Sequence, residues 1–169
     1  NLLKKSRRPV VILGGGIKIS KSQQLIKKTI SSFNLPFVTT WSGVDLIDHD
    51  NRKYIGNIGV YGSRPANFAV QNSDLLISLG SRLDTRITGG VPSSFARGAK
   101  VVAVDIDKDE LSKKRGLKLS LKVKTDLFYF LNQFNLEIKK IKIDKVKWLD
   151  KCNEWKSSYP IIKKEYYNQ

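Results

Sequence analysis

The feature that most constrains the fold is a short apolar run, Pro9-Val10-Val11-Ile12-Leu13, followed at once by Gly14-Gly15-Gly16. An uninterrupted, β-branched run of this kind predicts a strand buried on both faces, which belongs in a parallel sheet covered by helices on either side. After the glycine turn, Leu25, Ile26, Thr29, Ile30 and Phe33 recur at helical spacing, with Lys21, Lys27 and Lys28 directed elsewhere. Ser20 or Ser22 is placed to cap that helix. Asn34-Leu35-Pro36 ends it, and Phe37-Val38-Thr39-Thr40 follows as a second strand, completing a βαβ unit of right-handed crossover.

The same alternation continues. Residues 41–60 show no period, contain Gly43, Gly56 and Gly59, and read as loop with short turns. Gly62-Ser63-Arg64-Pro65 opens a helix through Gln71, with Ser63 or Arg64 at the cap and Pro65 pre-set for the first turn. Residues 74–79 form a third strand closed by Gly80, residues 100–105 a fourth and residues 119–123 a fifth. Thr125 or Asp126 caps a helix carrying Leu127, Phe128, Phe130, Leu131 and Phe134. Residues 135–143 are a Lys/Ile-rich connector, and Val146, Trp148, Leu149, Cys152 and Trp155 mark a last helix over 144–159, stopped by Pro160. The fold class is α/β: an open, mainly parallel, Rossmann-like sheet of five or six strands with helices on both faces. Ligands of such sheets sit beyond the carboxyl ends of the strands, where the punctuating glycines stand.

Charge is the second constraint. The chain of 169 residues has 31 Lys plus Arg against 15 Asp plus Glu, a formal net charge of +16. The excess lies in residues 1–30 and 108–169, leaving a neutral, motif-bearing middle. A basic face raises nucleic acid or a membrane surface as partners. The lysine-rich segments, however, lack interleaved aromatics and match no RNP, KH or helix-turn-helix pattern. They read as solvated faces of amphipathic helices, which argues against nucleic acid. The competing function is a basic α/β module that binds nucleic acid or a protein partner without catalysis. No apolar run approaches the roughly 20 residues that a membrane-spanning helix needs, and the glycines interrupt the first run before a signal-peptide core can form. A cytoplasmic, non-membrane protein is expected. Cys152 is the single cysteine and His49 the single histidine, so neither an intrachain disulfide nor a Cys/His zinc set can form. His49, within Asp48-His49-Asp50 and without a nucleophile motif beside it, reads as an ordinary loop residue.

Three segments could carry chemistry. Gly14-Gly15-Gly16 could bring backbone N–H groups to a phosphate, or could be a tight turn. Ile19 occupies the last glycine's place in G-x-G-x-x-G and no acid ends the second strand, so ordinary NAD binding is disfavoured. Gly80-Ser81-Arg82-Leu83-Asp84-Thr85-Arg86-Ile87-Thr88-Gly89 gathers two arginines, an aspartate and hydroxyls at a strand end, where guanidinium groups can neutralise a pyrophosphate. The alternative is an Arg82–Asp84 or Asp84–Arg86 pair that holds the loop. Val104-Asp105-Ile106-Asp107 offers carboxylates to a ribose or adenine, or else a helix cap at Asp107 with Glu110 at its third position.

In order, Arg8-Pro-Val-Val-Ile-Leu-Gly-Gly-Gly, Pro36-Phe-Val-Thr-Thr-Trp-Ser-Gly, Tyr54-Ile-Gly-Asn-Ile-Gly-Val-Tyr-Gly-Ser-Arg-Pro-Ala-Asn, the segment from Ser73 to Gly89 and Val104-Asp-Ile-Asp form a specific succession. Over residues 8–130 it closely resembles the central domain of thiamine-diphosphate-dependent enzymes, in particular the acetolactate synthase group. Trp148 through Trp155-Lys156 to Tyr159-Pro160 is similar to that group's linker toward its third domain. The resemblance implies a central domain over 1–135 and a linker and helix over 136–169. It also implies a parent that decarboxylates a 2-oxo acid and transfers the carbanion to an acceptor. Thiamine diphosphate and magnesium would be held by first and third domains of paired subunits, making the parent a homo-oligomer. The activating glutamate and the Gly-Asp-Gly signature of those domains are not in this sequence, so the chain resembles a fragment that is inactive alone. Within the central domain the resemblance implies FAD or ADP. Its contacts would be Gly14, Gly15, Gly16, Thr40, Trp41, Tyr61, Gly62, Gly80, Arg82, Asp84, Arg86, Ile87, Asp105, Ile106 and Asp126, with no catalytic and no metal-binding residue. Val60-Tyr61-Gly62 stands where the group has Gly-Met-His-Gly.

Overall fold

In the computed structural model, which describes residues 1–140, 143–162 and 165, the first apolar run is strand β1 (Pro9–Leu13), with every residue buried. Its side chains alternate between two apolar layers. Val11 and Leu13 join Ile26, Ile30, Leu127 and Leu131 on one face, whereas Val10 and Ile12 join Ala66, Val70, Trp148 and Leu149 on the other. This two-sided burial is why the strand carries no polar position.

Strands β2 (Phe37–Thr39), β3 (Tyr54–Asn57), β4 (Leu75–Leu79), β5 (Lys100–Asp105) and β6 (Leu121–Lys124) complete a sheet of order β3-β2-β1-β4-β5-β6. All its pairings are parallel, with Val11 opposite both Phe37 and Ile77. This is the dinucleotide-binding strand order. The helices are α1 (Leu2–Lys5), α2 (Gly16–Ile19), α3 (Gln23–Ser32), α4 (Arg64–Gln71), α5 (Thr85–Thr88), α6 (Lys108–Ser112), α7 (Leu127–Ile138) and α8 (Val146–Ser158).

On one face α3 lies against α7 through a buried polar contact. Thr29 Oγ1 is 2.8 Å from Asn135 Oδ1, and Asn135 Nδ2 donates to the Leu25 carbonyl at 3.2 Å. Lys53 closes the far end of α3, its ammonium donating to the carbonyls of Ile30 at 2.7 Å and Ser31 at 3.2 Å, which suits the negative end of the helix dipole. On the other face α8 packs on α4. Its indole Trp148 Nε1 donates to the Pro9 carbonyl at 3.1 Å, and Leu149 and Cys152 are fully buried, so this helix is part of the core.

Three expectations need correction. The stretch read as loop over 41–60 contains a 3-10 helix, Trp41–Leu46, and the edge strand β3. That strand escapes the apolar pattern because Gly56 sits inside it at φ +139°, at a shift of register against β2. Helix α7 runs through Asn135 to Ile138 instead of stopping before the connector, since Asn135 finds its partners across the interface with α3. Residues 141 and 142 of the expected connector lie outside the described residues. Ser63 and Asp126 do cap, accepting from Ala66 N at 3.4 Å and Phe128 N at 2.7 Å, whereas Ser22 stands at the start of α3 without a side-chain bond.

Candidate functional site

From β1 and β4 the chain runs to opposite sides of the sheet, and beyond their carboxyl ends opens a cleft of ≈ 560 Å³. This is the position and size at which open α/β sheets hold small ligands, about 300–1,000 Å³. Every strand contributes to it. Gly15 and Gly16 follow β1, Thr40 and Trp41 follow β2, and Tyr61 follows β3. Gly80, Arg82, Asp84, Arg86 and Ile87 follow β4, Asp105 ends β5 with Ile106 just after it, and Asp126 follows β6. Of the residues singled out from the sequence, Gly14 and Gly62 are the two that do not line it.

Those two glycines build the cleft from behind. The Gly14 N–H donates to the Leu79 carbonyl at 2.9 Å and the Gly16 N–H to the Gly80 carbonyl at 3.0 Å, so both amides are spent joining β1 to β4. A Cβ on Gly14 would stand 2.2 Å from the Gly80 oxygen. Gly14 and Gly16 therefore serve close approach of two chain segments, a Cβ on Gly15 would stand 2.7 Å from the Ser42 Cβ, and α2 behind them has a single turn. Gly62 closes a turn, its N–H donating to the Gly59 carbonyl at 2.9 Å. That turn carries Tyr61.

The charged wall is held by helix caps. Asp84 starts α5, its Oδ1 accepting from Arg86 N at 3.0 Å, and its Oδ2 accepts from Arg86 Nη2 at 3.1 Å. Of the two pairs foreseen for this loop, the Asp84–Arg86 one forms. Arg82 is exposed and makes no ion pair among the described residues. Across the cleft Asp105 Oδ1 accepts from Asp107 N at 3.0 Å, and Asp107 caps α6 through Asp109 N at 2.8 Å and Glu110 N at 3.3 Å. Glu110 does not reach back to complete a capping box. It pairs with Lys113 and, at 2.7 Å, with Arg115, and these two cations hold its carboxyl below the usual carboxylate range.

The remaining wall is aromatic. Trp41 and Tyr61 are 56% and 74% exposed, and their ring centroids lie 5.5 Å apart with planes tilted by 36°. Large rings left this open at a cleft present faces for stacking. Ser42, Ser81, Ile58 and Leu83 also line the cleft, outside the expected contacts. Adjacency to Trp41 and Arg82 would have found the two serines, while no local signal marks the apolar pair. His49 is exposed, its Nδ1 3.9 Å from Asp50, and takes no part. Among the described residues no cluster of three or more His, Cys, Asp or Glu could hold a metal ion, and no helix is long and apolar enough to cross a membrane.

Residues 1–133 match the family described as thiamine pyrophosphate enzyme, central domain. The chain is 33% identical over 163 residues to the acetolactate synthase large subunit of Pyropia yezoensis, covering 95% of this chain and 28% of that protein. The corresponding subunit of Cyanidium caldarium is 35% identical over 165 residues, with 95% and 28% covered. The acetolactate synthase isozyme 2 large subunit of Escherichia coli (strain K12) is 34% identical over 120 residues, with 71% and 22% covered. The chain thus spans less than a third of the length of these relatives.

Proposed function

Because the chain belongs to the family of thiamine pyrophosphate enzyme central domains, we propose that it is the central domain of an acetolactate synthase-like enzyme and that its cleft holds FAD or ADP. In that reading residues 1–135 are the central domain and 136–169 the segment that leads toward a third domain, its helix α8 packed back onto α4 as part of the same core. The complete cytoplasmic homo-oligomer decarboxylates a 2-oxo acid and passes the carbanion to an acceptor. Thiamine diphosphate, which supplies that chemistry when bound, and magnesium belong to the flanking domains. The 169 residues alone do not turn over pyruvate, even with both supplied.

The observation that carries the reading is the order of chemistries along the sheet edge. Stacking faces, Trp41 and Tyr61, follow β2 and β3; guanidinium groups, Arg82 and Arg86, follow β4; acceptors, Asp105 and Asp126, stand at β5 and β6. A flavin dinucleotide has the same order: a planar ring system, a diphosphate, then a ribose with its hydroxyls and adenine. Arginine suits the diphosphate because its planar fork donates two parallel hydrogen bonds to phosphate oxygens. The Asp105 and Asp126 carboxylates, each tied through one oxygen to a backbone N–H, keep lone pairs for ribose hydroxyls. Titrating FAD with the chain and following flavin fluorescence, beside a calorimetric titration of ADP, tests this reading: a saturating change with at least one ligand is expected, and fluorescence that stays that of free flavin together with no heat from ADP contradicts it.

A further inference from the structure

Arg82 reaches the cleft from an unfavourable turn. Leu83, the next residue, has φ +50° although it is a bulky non-glycine residue, a conformation that L side chains disfavour because the Cβ crowds the following carbonyl oxygen. Its side chain is buried in the layer with Ala66 and Phe95, which fixes one side of the turn. The other side is fixed from a distant segment. Arg115, in the connection between α6 and β6, donates through Nη1 to the Arg82 carbonyl, and through Nη2 to the Glu110 carbonyl at 3.2 Å and the Glu110 carboxylate at 2.7 Å. The Arg115 and Glu110 side chains are 20% and 9% exposed, so this fork is largely shielded from water.

We propose that Arg115 is a positioning residue for the anion site: by gripping the Arg82 carbonyl and Glu110 together it locks the left-handed turn at Leu83 and aims the Arg82 guanidinium into the cleft. The inference rests on the reading of that cleft as a diphosphate site. Arg86 is restrained by its own contact with Asp84, whereas Arg82 has no such partner among the described residues and depends on its backbone for its direction. One guanidinium can bridge three acceptors on two segments. An ammonium, whose donors all sit on one nitrogen, spans fewer of them, as in R115K.

The test uses the whole chain, with ADP as probe and hydrogen exchange of peptides covering residues 80–86 as a readout that needs no ligand. R115Q is expected to melt close to the unmodified chain, to speed exchange in 80–86 and to weaken ADP about tenfold, close to the effect of R82A. R115K is expected to fall between. In the R82A/R115Q chain, affinity should be no lower than in R82A, because Arg115 acts through Arg82. ADP affinity unchanged in R115Q while R82A loses it overturns the inference and leaves the cleft reading standing, as do additive losses in the double variant. If R82A itself binds ADP like the unmodified chain, the diphosphate reading fails, and the assignment of Arg115 to an anion site fails with it.

Discussion

Asn67 on α4 holds the Gly59 peptide from both sides: its Oδ1 accepts from the Gly59 N–H at 3.0 Å and its Nδ2 donates to the Gly59 carbonyl at 3.0 Å. Gly59 has φ +110°, and a Cβ there would lie 2.3 Å from the Arg86 carbonyl oxygen, which instead accepts from Val60 N at 2.9 Å. A core-facing helix thereby sets the turn that presents Tyr61 and joins it to the arginine loop. N67A should destabilise the chain by about 1–3 kcal/mol, because the Gly59 N–H loses its partner and the Gly59 carbonyl is left with the Gly62 N–H alone. N67D should be no better, since a carboxylate still accepts from the N–H but faces the carbonyl with no proton to donate. Thermal melts of the two variants check this. An N67D chain as stable as the original would show that the carbonyl half of the contact contributes nothing.

The approach of β1 to β4 predicts a contrast between two glycines. In G14A the new methyl meets the Gly80 carbonyl at 2.2 Å, and both neighbours are backbone that cannot step aside. The cost should exceed the about 1–3 kcal/mol typical of an overpacked core. Gly90 has nothing within 4 Å, so G90A should change stability by less than about 0.5 kcal/mol. Denaturant midpoints of the two variants read the difference.

Cys152 is fully buried on α8, and burial pushes its thiol from 9.0 up to about 12. The folded state therefore keeps a proton that the unfolded state releases from about pH 9 upward. This contribution to stability is fully present below pH 9 and is lost progressively as pH rises toward 12, with a limiting slope of about 1.4 kcal/mol per pH unit. Unfolding midpoints measured between pH 8 and 11 should fall more steeply for the native chain than for C152A. In the native state at pH 8 the thiol should also resist a disulfide reagent until the chain is unfolded.

Stacking at the aromatic wall separates the two candidate ligands. W41A should weaken FAD, whose ring would use that wall, by about 1–3 kcal/mol on the scale of base–aromatic stacking, and should leave ADP unchanged. Equal losses for both ligands would place the adenine, not the flavin, against Trp41.

How much of this was legible follows from what each segment hides. β1 and β4 could be read because both faces of each are buried and a glycine closes each. β3 could not, because Gly56 interrupts its pattern, and its place at the sheet edge is a tertiary fact. The end of α7 was misread at Asn135, a polar residue whose partners Thr29 and Leu25 lie more than a hundred residues away. In the site, the glycine- and arginine-bearing loops were visible because a parallel sheet sends every strand end to one edge. The spent amides of Gly14 and Gly16 were not visible, since their acceptors, Leu79 and Gly80, lie on another strand and the turn beyond it. Nor was Arg115, a lysine-rich segment's arginine whose target is a carbonyl.

The central claim is that Arg82 and Arg86 form the diphosphate site, and calorimetric titration of ADP into the chain and into R82A/R86A tests it most directly. Each charge-assisted bond is worth about 1.5–3 kcal/mol, so the unmodified chain should bind with measurable heat and the double variant should bind at least about a hundredfold more weakly. ADP that binds the double variant as tightly as the unmodified chain would contradict the account.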